Sequence, residues 1–299
     1  MSCSIRQGKI RRRDHLLGRV GQGIAPLNIS PPDTKEDAEV TTIGSSLDTQ
    51  ELEIRVIEMY REVANHPDKR FHFETGRPLA ERVGYPVEEL DALPAEAIAS
   101  FAGVGYYFDL AEPRPGETVV DLGSGSGMDS FLAARKVGES GRVIGIDMTD
   151  AQFTKAERLG LEAGLSNVEF RKGYIEQIPT DDASADLIIS NGVINLSPQK
   201  AQVFTEAARV LRPGGRLAIA DIVTSIQMPE GVTCDASLWA ACIGGAMQRD
   251  DYGATIESAG FTIEAMREND QYRFSSEQAV NATKTYGVKS VSILARKTV

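Results

Sequence analysis

VVDLGSGSGMD, residues 119–129, sets Gly123, Gly125 and Gly127 between an apolar run and a stretch of helical period. That junction predicts a strand ending in a tight loop that opens into a helix, where backbone amides can approach a ligand. Moving outward, the same rhythm repeats. ETVVDL precedes the loop and a helix over 128–137 follows it. Then come GRVIGID, a helix over 150–163, VEFRKG, DLIISN at 186–191, a helix over 198–211 and GRLAIADIV at 215–223. Strands alternating with helices imply a parallel sheet, and strands apolar throughout imply cover on both faces. FTIEAMRE, a helix near 276–286 and VSILARK at 291–297 close the chain. The expected fold is α/β: a Rossmann-like, doubly wound, mostly parallel seven-stranded sheet with an antiparallel edge strand and an N-terminal helical cap.

The cap is read from residues 49–116, where Asp48 and Thr49 can cap a helix over 50 to about 65 whose apolar positions are Leu52, Val56, Met59 and Val63. Prolines at 67, 78, 86 and 94 break the rest of the cap into short helices. Residues 1–48 read as a basic leader and a Gly/Pro/Ser/Thr-rich linker, expected to be disordered and dispensable for folding, and 117–299 as the catalytic domain. Residues 1–35 carry +5 and the remainder −16. So acidic a body repels phosphate backbones, which disfavours nucleic acid and favours a small-molecule substrate. No apolar run is long enough to span a membrane. Three cysteines, Cys3, Cys234 and Cys242, form neither a disulfide framework nor a CxxC zinc pair, so a reducing, cytoplasmic setting is expected.

The loop spacing is GxGxG; the GxGxxG of dinucleotide dehydrogenases would need glycine at Met128. Asp121 precedes the loop, where a carboxylate can neutralise an ammonium group and would repel a pyrophosphate. S-adenosyl-L-methionine is therefore the cofactor expected, with Asp121, Gly123, Ser124, Gly125 and Gly127 at its methionyl end. Asp147, with Met148 beside it, ends the second strand and is placed to accept hydrogen bonds from ribose hydroxyls. Ile175 and Glu176, after the third strand, are assigned to the adenine, one as apolar wall and one as acceptor. A glycine turn in a purely structural Rossmann-like domain is the bland alternative.

Residues of about 94–250 resemble class I S-adenosylmethionine-dependent methyltransferases, and more narrowly the arsenite methyltransferase family. The likeness is carried by DLGSGSGMD, GIDMTD, GYIEQIP, SNGVINLSPQK, RVLRPGG and LWAACIGGAM. It implies methyl transfer to a small soft acceptor, a thiol or metalloid. Arsenite-handling members hold trivalent arsenic on cysteine thiolates, which suit a soft centre. At the three corresponding positions this chain has Val104, Gly192 and Cys242, so a trithiolate site is impossible as aligned unless Cys234 supplies a sulfur. Glutathione or another thiol then becomes an expected partner.

In-line transfer from a sulfonium asks chiefly for alignment of the reacting atoms. Cys242, Asn191 and Asn195 are the candidates on the acceptor side, Asn191 also facing the cofactor; no metal site is expected. A small buried hydrophobe is the alternative for Cys242, and a turn residue for Asn191. Tyr106 and Tyr107 are candidates for a wall over the sulfonium or for core packing, and a carbon or hydroxyl acceptor would need a base, for which Asp221 and His72 are available. His66 and His72 otherwise read as surface or capping residues. Two further readings stay open: a carbon methyltransferase on a quinone- or lipid-precursor-type molecule, and a catalytically silent cofactor-binding module.

Overall fold

The computed structural model describes residues 5–6, 47–233, 239, 243–275 and 277–298. Expectations for the leader beyond those residues, and for Cys3, Cys234 and Cys242, lie outside the described part.

The cap begins with α1, Thr49–Asn65, whose N-terminus is closed as anticipated: the Asp48 carboxylate accepts from the amides of Gln50 and Glu51, both at 3.0 Å. Leu52, Val56 and Val63 form its buried face, while Met59 is only partly buried. Four short helices follow: α2 (Arg77–Arg82), α3 (Val87–Asp91), α4 (Ala95–Ala99) and α5 (Phe108–Ala111). Pro78 in the first turn of α2, and Pro86 and Pro94 at the caps of α3 and α4, set those breaks.

The alternating part comprises β1 (Thr118–Leu122), α6 (Met128–Val137), β2 (Arg142–Asp147), α7 (Asp150–Glu162), β3 (Val168–Lys172), β4 (Ala185–Asn191), a 3₁₀ turn at Ile194–Leu196, α8 (Lys200–Val210) and β5 (Leu211–Thr224). After these come α9 (Glu230–Thr233), α10 (Arg249–Ser258), β6 (Phe261–Glu268), α11 (Glu277–Tyr286) and β7 (Lys289–Lys297). The strand order is β3-β2-β1-β4-β5-β7-β6, with the two-residue strand Met247–Gln248 adding to the end of β5. β1 to β5 pair in parallel, and the antiparallel pairings lie at the late edge as expected. The reversed strand is β7, which sits one place in from the edge, between β5 and β6.

Alternation within each strand separates two cores. Val119, Val143, Leu187, Ile189 and Ala218 pack with α6, α7 and the cap. Val120, Ile144, Ile188, Leu217 and Ile219 pack with α8 and α10, around Phe204 and Tyr252. The cap shares the first core, and a buried arginine ties it to the sheet. Arg216 of β5, 6% exposed, forms a two-pronged ion pair with Glu117 at 2.7 and 2.9 Å and also donates to the Ala111 and Glu112 carbonyls. No helix among the described residues is long and apolar enough to cross a membrane.

Candidate active site

The order of the strands reverses between β1 and β4, and ligands of open α/β sheets bind at the carboxyl ends flanking such a point. There the structure holds a cavity of about 800 Å³. Its floor is the glycine loop with Asp147, Met148, Ile175 and Glu176; its roof is α1, through Leu52, Glu53, Val56 and Tyr60. Gly192, Val193, Leu196, Ser197 and Pro198 form a further wall. The roof is fastened by Tyr174, whose hydroxyl donates to Glu53 at 2.6 Å, and by α7, whose Gln152 and Lys155 donate to the Tyr60 and Ala64 carbonyls.

All three loop glycines have positive φ, +68° at Gly123, +54° at Gly125 and +91° at Gly127. Their reasons differ. A Cβ on Gly123 would stand 2.6 Å from Val193, and one on Gly127 2.9 Å from Phe131 and Phe170, so these two are set by packing. A Cβ on Gly125 would meet nothing closer than 3.8 Å, and Gly125 lines the cavity together with Gly123. The Gly125 amide donates to Asp147 Oδ2 at 2.9 Å, while Oδ1 of Asp147 accepts from Thr149 N–H at 2.8 Å. Each carboxylate oxygen has a second lone pair, so Asp147 keeps acceptor capacity for two hydroxyls. The Ser124 hydroxyl also lines the cavity, buried and without a hydrogen-bond partner among the described residues. Acceptors at the end of β2 and an orphaned hydroxyl at the loop fit a ribose-bearing cofactor.

Asp121 lines this floor in a different state from the one its position suggests. Burial, reinforced by the nearby Asp129 charge, pushes its carboxyl up to about 8 against two donors of one residue, the Ser130 hydroxyl at 2.6 Å and the Ser130 backbone N–H. Near neutral pH it holds a proton. Asp129, in the first turn of α6, carries much more support: Tyr85 O–H at 2.6 Å, Tyr107 O–H at 2.9 Å and Asn191 Nδ2 at 3.1 Å. Burial raises its carboxyl and those three hydrogen bonds oppose the rise. Sequence reasoning missed Asp129; its place two residues beyond Gly127, at a helix N-terminus, was the available signal.

Asn191 lines the cavity, yet its amide is committed inward. Oδ1 accepts from Val104 N–H at 2.7 Å, and Nδ2 donates to the Gly105 carbonyl at 3.0 Å as well as to Tyr85 and Asp129. Its visible role is to pin the 103–105 loop to the end of β4. Asn195 is fully buried and outside the lining; its backbone N–H bonds to Asp221. Tyr107 is fully buried and Tyr106 packs edge-on against Tyr85, so both belong to the packing beside the site. Neither His66 nor His72 lines the cavity, and Asp221 is buried beneath it, accepting from Tyr252 O–H at 2.7 Å. Val104 and Gly192 do meet: a Cβ on Gly192, where φ is +76°, would lie 3.3 Å from Val104 Cγ1. Two positions expected to bear sulfur are thus adjacent and sulfur-free. Among the described residues no His/Cys/Asp/Glu cluster is placed to hold a metal.

Sheet order, switch-point cavity and loop together define the Rossmann-like class that binds a nucleoside-bearing cofactor. Residues 113–260 match the family described as "Methyltransferase domain". Arsenite methyltransferases of Halobacterium salinarum and Homo sapiens are 40% and 37% identical, over 75% and 62% of this chain. The chain spans about half the length of these relatives, 57% and 51%. The crystal structure of an arsenic(III) S-adenosylmethionine methyltransferase from Chlamydomonas reinhardtii superposes with a TM-score of 0.57 at 30% identity, covering 75% of this chain and 74% of that one. The chain belongs to the S-adenosylmethionine-dependent methyltransferases, in their arsenite-methyltransferase-like family.

Proposed function

We propose that the protein transfers a methyl group from S-adenosyl-L-methionine to a small soft acceptor, trivalent arsenic or a thiol. The observation that carries this reading is the 800 Å³ switch-point cavity, which joins the loop, Asp147, Ile175 and Glu176 to the Gly192 wall. When bound, the cofactor supplies an electrophilic methyl carbon. Asp147 takes the ribose hydroxyls, Glu176 and Ile175 the base, and Asp121 the ammonium. The α1 roof excludes water, and the Gly192 wall limits the acceptor's approach. A soft nucleophile has a usable lone pair at neutral pH, so no general base is needed.

With Val104 and Gly192 offering no sulfur, Cys242 is the remaining protein thiol of the three expected positions, and a free thiol such as glutathione completes the coordination of arsenic. This chemistry suits a reducing, cytoplasmic setting. Residues 49–116 act as cap and 117–299 as catalytic domain. Calorimetry with S-adenosylmethionine, followed by product analysis with labelled methyl donor and arsenite with or without thiol, tests the reading. The expected result is micromolar cofactor binding and slow, thiol-dependent arsenite methylation. Brisk turnover without thiol, or Cys242→Ser turning over at the wild-type rate, overturns the cysteine assignment.

A further inference from the structure

Lys200 opens α8, immediately behind the wall of the cavity, and is only 5% exposed. Its ammonium donates to the Ser197 carbonyl at 2.8 Å and lies 4.6 Å from the centre of the Trp239 ring. It makes no ion pair among the described residues. A buried cation over an indole face gains from the ring quadrupole without competing water.

The groups around it converge on one turn. Ser197 ends the 194–197 turn, and Asp221 of β5 accepts from the Asn195 N–H of the same turn. Trp239 is fixed at its other side by Nε1–H donating to the Thr233 carbonyl at 2.6 Å. Gly244 and Gly245 make room for this arrangement. A Cβ on Gly244 would lie 2.4 Å from Trp239 Cδ1, and one on Gly245 would lie 2.1 Å from the Asn195 carbonyl oxygen. Leu196 and Ser197 line the cavity, so whatever holds this turn holds the wall.

We propose that Lys200 is a positioning residue for the acceptor wall: its buried ammonium joins the 194–197 turn and the Trp239 ring into one surface. The proposal rests on reading this cavity as a methyltransferase site. It also gives the wall a pH dependence. Burial lowers the Lys200 ammonium to about 8, against the opposing pull of Asp221 and Glu176, the charged groups that face it; Tyr252 reaches it only through Asp221. Above that pH the cation is lost, and with it the grip on the indole.

Trp239 is the sole tryptophan of the chain, so its fluorescence reports this contact directly. In the full-length protein, emission is expected to titrate with a midpoint near pH 8. Lys200→Met removes that transition, and Lys200→Arg keeps the low-pH spectrum across the same range because guanidinium stays charged. Hydrogen exchange of amides 194–197 is expected to accelerate at least tenfold in Lys200→Met, leaving 123–127 unchanged. With arsenite and dithiothreitol as the acceptor probe, the KM for arsenite rises about fivefold and Lys200→Arg restores it. Flat wild-type emission from pH 6 to 9, an unchanged transition in Lys200→Met, or equal exchange in the 194–197 turn overturns the proposal. Absence of arsenite turnover in the wild type would instead count against the acceptor reading, and fluorescence and exchange would still decide the role of Lys200.

Discussion

Asp121 and Asp147 stand at the ends of neighbouring strands and differ in what their surroundings ask of them. Asp147 is held by two backbone amides and keeps a lone pair on each oxygen, which the proposed ribose contact requires. Asp147→Ala is expected to weaken S-adenosylmethionine binding by ~1.5–3 kcal/mol, the worth of charge-assisted hydrogen bonds, measured by calorimetry. Asp121 is protonated below about pH 8, well above its ordinary 3.8. An ammonium ligand favours the ionised form, so cofactor affinity should climb from pH 6 toward 8 and level off above, with proton release at pH 7 seen as a buffer-dependent binding enthalpy. The unliganded protein shows the reverse sense. Since the unfolded carboxyl ionises near 3.8 and the folded one near 8, this group's contribution to stability is full below pH 4 and lost as pH rises to 8. Affinity independent of pH across 6–8 would remove Asp121 from the ammonium site. Gly192 shows where adjacency is not enough. A cysteine there faces Val104 at contact distance but must adopt φ +76°, a left-handed conformation costing an L-residue ~1–2 kcal/mol. Gly192→Cys with Val104→Cys should therefore lower thermal stability while raising arsenite affinity, the two effects being separable by calorimetry and melting.

At the scale of elements, most of the fold was legible because each strand and helix carries its own period. The helix over 128–137 and the strand over 261–268 fall on the expected residues, and α1 starts at its anticipated cap. The floor of the cavity was legible for the same reason, its residues being set by strand ends. The roof was not. α1 lies more than fifty residues before the loop it covers, and nothing in its apolar face says which cavity that face closes. The hydrogen bond from Tyr174 to Glu53 joins residues 121 apart in sequence, and the Asp129 cluster draws on four separate segments. Long-range meetings of this kind leave no local pattern. They do leave a testable hinge: Tyr174→Phe removes the fastening of the roof at a half-exposed site, worth ~0.5–1 kcal/mol. The expected result is a two- to fivefold faster release of S-adenosylmethionine in stopped flow, with the fold unchanged by circular dichroism. An unaltered release rate would mean that the grip of α7 on Tyr60 and Ala64 suffices.

Across the whole molecule, cap and sheet behave as one packed body, because the first core runs from Leu52 of α1 through Phe101 and Tyr107 to Ala218 and Ile222 of β5. Apolar packing is non-directional; the angle at which the cap meets the sheet is specified by polar staples, among them Tyr85 and Tyr107 to Asp129 and Arg216, which pairs with Glu117 and donates to the Ala111 and Glu112 carbonyls of the cap. Both ends of that pair are nearly dehydrated, at 7% and 14% side-chain exposure, so the pair has little net value over an apolar replacement but a large cost when broken. Arg216→Met leaves the Glu117 carboxylate unpaired and deprives the Ala111 and Glu112 carbonyls of a donor. The expected loss is ~3–5 kcal/mol, or roughly 6–20 °C in melting temperature for a chain of this size. Arg216→Met combined with Glu117→Leu should recover a substantial part of that loss, since no charge is then stranded. If the staple also sets the angle of the cap, the double variant will melt close to wild type yet bind S-adenosylmethionine more weakly, because Phe101, Ala102 and Gly103, just ahead of α5, line the cavity. Recovery of both stability and affinity would show that packing alone orients the cap.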